Sequence, residues 1–376
     1  MQKLLLLLIS GLFMTVSGQI PEGYSLSTRS AVERLMRENP PRLTFDSTAC
    51  FPQWQAEMRQ AMTRLMRHPD KAAEEPRMLW SEPREGYTLQ KWVSFPLDST
   101  AVPFLVLVPD GLTEPTAAVL CIPGFGQTKE LLAGETGSEK NTMARDYAQQ
   151  GLIAVAVDNP SCGELSDQGR YDYLETSRFL LEEGWSYLGL SSWQDRVVLD
   201  WMKTRPEINP ERIIVSGFSL GTEPMMALGL LDPDIYAFVY NDFLCRTRER
   251  VLTMTAPEGK FPNSIEHLIP GFLLEFDFPD IVCALAPRPV ICTEGGMDRD
   301  FRILESAYRA AGAPGNFEWH HYPKFADPKD RVPLEAMPAG VDRDTYFRLA
   351  NVDPPAHYFK RELVLPWIQK ICGNGK

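Results

Sequence analysis

The ten residues from Ile213 to Thr222, "IIVSGFSLGT", constrain the fold more than any other stretch. A β-branched apolar run leads into Gly217-Phe218-Ser219-Leu220-Gly221, and an apolar helix-forming segment, Leu220 to Leu231, follows. Gly-x-Ser-x-Gly between a buried strand and a helix predicts a sharp elbow. There the serine occupies an unfavourable backbone region so that its hydroxyl projects from the strand's C-terminal end. Strand and helix then pass too closely for Cβ atoms two positions before and after, which explains Gly217 and Gly221. Pro224 falls in the first helical turn, where a missing N–H does least harm.

The surrounding pattern supplies the sheet such an elbow needs. "GYTLQKWVSFPL" and "AVPFLVLVPDG" read as an antiparallel pair of strands. "AAVLCIPGFG", "GLIAVAVDNP", "ERIIVSG", "YAFVYND", "PRPVICTEGG" and "FEWHHYP" read as further strands, several of them continuous apolar runs buried on both faces. Helices are expected over about 139–150, much of 170–203, "FRILESAYRAAG" and the closing "HYFKRELVLPWIQKIC". Alternation of strand and helix predicts an α/β fold with a mostly parallel central sheet and helices on both faces. Ahead of it, "RSAVERLMRENP" and "FPQWQAEMRQAMTRLMRHP" carry apolar residues at three- and four-residue spacing and end at prolines. The expected division is a leader at 1–18, a helical extension at 19–80 and a catalytic domain at 81–376. Residues 246–280 read as a long loop and 324–354 as a structureless insert beside the site.

Residues 1–18 combine Lys3, an apolar run from Leu4 to Met14, and small residues at 16 and 18. That is the pattern of an export signal cleaved before Gln19, and it implies a periplasmic or secreted protein. No later stretch is apolar and long enough to span a bilayer, so stable membrane insertion is not expected. The net charge of −12 argues against nucleic acid and anionic membranes as partners. Of seven cysteines, Cys121, Cys283 and Cys292 read as buried core, while Cys50, Cys162, Cys245 and Cys372 are candidates for pairing. Neither CxxC nor HExxH occurs, and GFGQTK lacks the phosphate-loop spacing, so no metal or cofactor is expected. The oligomeric state is open.

A serine hydroxyl needs a base, and the chain holds five histidines. His68 precedes the sheet and His267 sits in the long loop. His320 and His321 fall within the last expected strand. His357 lies after that strand and before the closing helix, which brings it to the elbow's edge of the sheet. The acid that orients it should follow a neighbouring strand. Asp298, after "PRPVICTEGGM", is favoured, with Glu294 and Asp300 as close rivals and Asp242 as a weaker one. Chain order Ser219, Asp298, His357 then results. Oxyanion donors are expected at the Leu220 amide and at Phe125, in a loop freed by Gly124 and Gly126.

Four segments, "CIPGFGQTKE", "DWMKTRPEINPERIIVSGFSLG", "DFPDIVCALAPRPVICTEGGMDRDF" and "AHYFKRELVLPWIQK", resemble the secreted bacterial α/β-hydrolases related to acetyl xylan esterases and dienelactone hydrolases. The resemblance implies an α/β-hydrolase fold. It also favours Asp298, to which "LAPRPV" leads in such proteins, and His357, which opens the last helix. Two features depart from the relatives: Pro123-Gly124 stands where they often carry His-Gly, and the insert before His357 is longer. The implied activity is cleavage of carboxylic esters through a Ser-His-Asp triad and an acyl-enzyme, on a small-molecule or carbohydrate ester such as an acetylated sugar. A general carboxylesterase or lactone hydrolase fits the same residues. A non-catalytic binding protein on this fold is the rival of another class.

Overall fold

A computed structural model describes residues 20–24, 26–70, 74–167, 169, 171–254 and 263–373. The expected leader lies outside the described residues.

Among the described residues nine strands form one sheet: β1 (Glu74–Arg84), β2 (Tyr87–Phe95), β3 (Val102–Pro109), β4 (Thr116–Ile122), β5 (Ile153–Ala156), β6 (Ile208–Phe218), β7 (Ala237–Asn241), β8 (Val290–Cys292) and β9 (Phe317–Trp319). Their spatial order is β1-β2-β3-β5-β4-β6-β7-β8-β9. The first three pair antiparallel, and β3 joins β5 antiparallel. From β5 through β4 to β9 every pairing is parallel. This is the expected α/β-hydrolase arrangement, with the elbow strand β6 beside the central strand β4.

Strand periodicity sends successive side chains to opposite faces, and both faces are buried. Leu120, Ile122, Ile213 and Val215 belong to one core with Met58, Met62, Met225 and Leu228 from helices Phe51–Met66 and Thr222–Leu231. Val119, Cys121 and Ile214 belong to the other, under Met143, Tyr147, Val364 and Trp367 from helices Met143–Ala148 and Arg361–Gly373. Each such side chain, buried completely, is worth about 1.5–3 kcal/mol. The continuous apolar run of each central strand follows from this double coverage.

The expected extension at 19–80 is not one body. The chain divides at Pro40 into two compact units. The first holds helix Thr28–Glu38, capped by the Ser27 hydroxyl on the Ser30 amide and laced by Arg29–Glu33 and Arg34–Glu38. The second, from Pro41, includes helix Phe51–Met66 in the main core. Trp54 donates to the Leu43 carbonyl at 3.0 Å, and Gln55 donates to Ala284 and Ala286 at 2.7 Å each. β1 also starts within the expected extension, at Glu74.

Two loops carry more structure than expected. Within 246–280 lie helices Thr247–Thr253 and Phe272–Glu275, and helix Phe278–Ala284 begins there, with 255–262 outside the described residues. The insert at 324–354 is not structureless. It carries short turns at Pro323–Phe325 and Pro328–Asp330 and helix Arg343–Leu349, capped by Asp342 on the Thr345 amide at 2.7 Å. Phe325, Met337, Tyr346, Ala350 and Val352 close a small core with Met254, Met297 and Tyr322. All seven cysteines are free thiols. Among the described residues no helix is long and apolar enough to cross a membrane.

Candidate active site

β6 runs into Ser219 with φ at 51°, in the left-handed region that a β-carbon makes costly. Such strain costs about 1–3 kcal/mol and persists only where neighbours enforce it. The enforcement is visible at two glycines. A Cβ on Gly217 would stand 2.4 Å from the Gly221 carbonyl oxygen, and one on Gly221 would stand 2.3 Å from that of Ile122. Backbone meets backbone at both, so neither neighbour can yield. The chain then makes one tight turn, Ser219–Gly221, and enters helix Thr222–Leu231.

Because Gly221 lies against the end of β4, the loop after β4 lies beside Ser219. A Cβ on Gly124 would come within 3.1 Å of Ser219 Cβ and 2.8 Å of the Phe218 ring. Buried Asn159 donates to the carbonyls of Pro123 at 3.0 Å and Gly124 at 3.3 Å. The Gln127 amide also donates to the Gly124 carbonyl, at 3.1 Å. In a planar trans peptide the N–H points opposite the C=O, so the Phe125 N–H faces away from Asn159. The Phe125 ring is half exposed and meets Tyr171 and Tyr173 edge-on at 4.8 and 4.9 Å. Beneath the loop, buried Lys129 is paired with Asp158 at 2.7 Å.

His357 follows a short turn, Pro354–Ala356. Its ring stacks on Phe218 at 4.7 Å between centroids, so it reaches the residue next to Ser219. Its Nδ1 is hydrogen-bonded to Glu294 Oε2. Burial disfavours the charged imidazolium, but the bond to Glu294 and the charge of Asp242 outweigh it and hold His357 above the ordinary histidine range. Glu294 is completely buried. Burial pushes its carboxyl up, yet His357 and Lys360 prevail and hold it below the usual range.

The expected pairing of Asp298 with His357 is therefore corrected. Asp298 does not reach His357: its Oδ1 accepts from His321 Nε2 at 2.7 Å, and Arg331 flanks it at 3.3 Å. Glu294 stands two residues beyond the end of β8, where a side chain can still reach across the sheet edge. Gly295 and Gly296, with φ of 72° and 143°, then turn the chain, and Asp298 begins helix Asp298–Ala310 on the far side of that turn. The sequence signal was present in "TEGG", an acid beside two glycines. Asp300 is held by Arg246 and Arg299. Asp242 follows β7 and stays near the pair, its carboxyl pushed up to about 6 by burial against the pull of His357.

The other histidines have separate partners. His68 bonds the Ser192 hydroxyl, His267 bonds Glu223 and His320 bonds Glu318. His320 and His321 lie just beyond β9, which ends at Trp319. Trp193 and Trp201 are buried, the latter against Trp92 at 4.7 Å, so they serve the core.

Asp242, Glu294 and His357 place one donor atom each within 4.8 Å of one another. Both Glu294 oxygens are already occupied: Oε2 by His357 and the Tyr322 hydroxyl, Oε1 by the Tyr358 amide and the Lys360 ammonium. With an ammonium already in the cluster, the group has the chemistry of a charge network, not of a cation site.

A solved structure from Bacteroides fragilis NCTC 9343, of a protein assigned as an acetyl xylan esterase, is similar at 49% identity and a TM-score of 0.91, covering 94% of this chain and 96% of that one. A glucuronoyl esterase from Solibacter usitatus shares the fold at 15% identity and a TM-score of 0.51, over 73% of this chain and 85% of its own. None of the curated proteins matches the chain. The abhydrolase family matches residues 10–370, and the chain belongs to that family.

Proposed function

We propose that this chain is an exported serine esterase acting on esterified carbohydrate, with Ser219 as nucleophile, His357 as base and Glu294 as the orienting acid. The observation that carries the reading is the Glu294–His357 hydrogen bond on an imidazole stacked against Phe218, one residue from the strained Ser219. The Nδ1–H bond to Glu294 leaves Nε2 as the acceptor for the serine proton. Ser219 attacks the ester carbonyl and His357 takes its proton. The oxyanion is held by the amides of Phe125 and Leu220, each worth about 3–4 kcal/mol of barrier by analogy with known oxyanion holes. His357 then protonates the departing alcohol, and water repeats the cycle on the acyl-enzyme.

Similarity to a protein assigned as an acetyl xylan esterase supports an acetylated sugar as substrate. The half-exposed Phe125 ring beside the nucleophile supports a sugar ring there. The leader pattern at 1–18 supports export.

The test is labelling with a fluorophosphonate together with kcat/KM for acetylated xylo-oligosaccharides, nitrophenyl acetate and a lactone. Labelling at Ser219, loss of labelling and turnover in Ser219→Ala, and preference for the acetylated sugars are expected. Folded protein that is labelled elsewhere or not at all overturns the reading.

A further inference from the structure

We propose that Lys360 and Asp242 are positioning residues that set the working pH of His357 by acting in opposite senses on one carboxylate–imidazole pair. The inference rests on the reading of His357 as the base and goes beyond it by assigning roles to two charges outside the triad.

The geometry is specific. Lys360 is buried, and its ammonium donates to Glu294 Oε1 at 2.6 Å and to the Tyr358 carbonyl at 2.8 Å, with Ala356 as a further acceptor. It also lies 3.7 Å from the Tyr358 ring centroid and 5.4 Å from that of Tyr322. The acid that should stabilise the imidazolium thus shares its charge with a cation held in place by two carbonyls and two aromatic rings. A positive charge there opposes protonation of His357. Asp242 approaches from the end of β7, within 4.8 Å of the pair, and a negative charge there favours protonation. Asp242 makes its own hydrogen bond to the Phe243 amide at 2.8 Å and none to His357, so its influence is through space.

The remaining groups around the cluster are few. Tyr322 donates its hydroxyl to Glu294 from the stretch after β9, and Asp353 acts on Tyr322 from the insert. Arg250, from helix Thr247–Thr253, acts on Asp242. The elbow contributes Ser219. None of these contacts Glu294 with a full charge as Lys360 does. Lys360 also begins the backbone bonding of the closing helix, since its carbonyl accepts from Leu363 and Val364. The cation is therefore fixed to the same element that carries His357.

The experiment titrates His357 in the intact free protein by NMR, on the downfield Nδ1–H resonance identified by its loss in His357→Ala. In parallel it follows the pH dependence of inactivation by a fluorophosphonate. Lys360→Met should raise the midpoint by about one pH unit and Asp242→Asn should lower it by about the same, with the double variant returning near wild type. A purely structural role moves neither midpoint in a charge-dependent sense. Midpoints within about 0.2 pH unit of wild type in both single variants overturn the proposal. If Lys360→Met does not fold, a downward shift in Asp242→Asn supports the proposal and an unmoved midpoint overturns it. The titration needs no substrate. Shifted midpoints in a protein that hydrolyses no ester leave the charge network standing and remove the esterase reading; turnover with unmoved midpoints does the reverse.

Discussion

Replacing Glu294 by Gln while separately replacing Asp298 by Asn divides the two acids cleanly. Glu294 is buried and holds His357 by its Oε2. A glutamine there keeps the shape but removes the charge, and its amide offers a proton to Nδ1, which selects the wrong tautomer. The comparable change in serine proteases costs about 10⁴-fold in kcat, or about 5.4 kcal/mol of barrier. Stability falls as well, because the Lys360 ammonium loses its only carboxylate among the described residues. A buried charge stripped of its partner costs about 3–5 kcal/mol. The double variant Glu294→Gln, Lys360→Met removes both charges, so it should recover much of that stability and none of the activity. Asp298 bonds His321 and Arg331, so Asp298→Asn should leave kcat within about threefold and cost about 1–3 kcal/mol of stability. Nitrophenyl acetate turnover on protein shown to be folded by thermal melting measures both. The reasoning fails if folded Asp298→Asn loses about 10³-fold or more while Glu294→Gln keeps activity within about tenfold of wild type.

Two further outcomes are expected. Gly221→Ala places a methyl 2.3 Å from the Ile122 carbonyl oxygen and 2.7 Å from that of Pro123. The elbow and the loop after β4 must then separate, and a displacement of this order costs about 100-fold in kcat/KM, measurable beside a lowered melting temperature. His357 must be neutral to accept a proton, and its held-up proton affinity means that activity rises only as pH climbs through a value above the ordinary 6.5. A kcat/KM profile whose acidic limb lies at or below about 6.5 would contradict that environment.

The parts of the site fixed by local chain geometry were legible in the sequence. Gly217, Ser219 and Gly221 announce the elbow because only a strand jammed against a helix needs those bare positions, and the place of His357 ahead of the closing helix already put it at the elbow's edge of the sheet, where its ring stacks on Phe218. Which carboxylate bonds His357 was not legible, because three candidates lie within seven residues and sequence spacing does not reveal how far Gly295 and Gly296 turn the chain. Helical spacing in 51–66 marked a helix but not what it covers, which is set by distant Ala118 and Leu228. The order within the insert was not legible because it comes from turns started by prolines, an Asp342 cap and a few scattered apolar residues. None of these repeats with a helical period.

That insert has a mechanical consequence. The small core built on Phe325, Met337, Tyr346 and Val352 takes in Ala356, the residue next to His357, and shares no member with the two large cores flanking the sheet. A satellite of this size opens at lower free energy than the sheet beneath it. Warming should therefore release the imidazole's tether and silence the protein several degrees before the main fold melts.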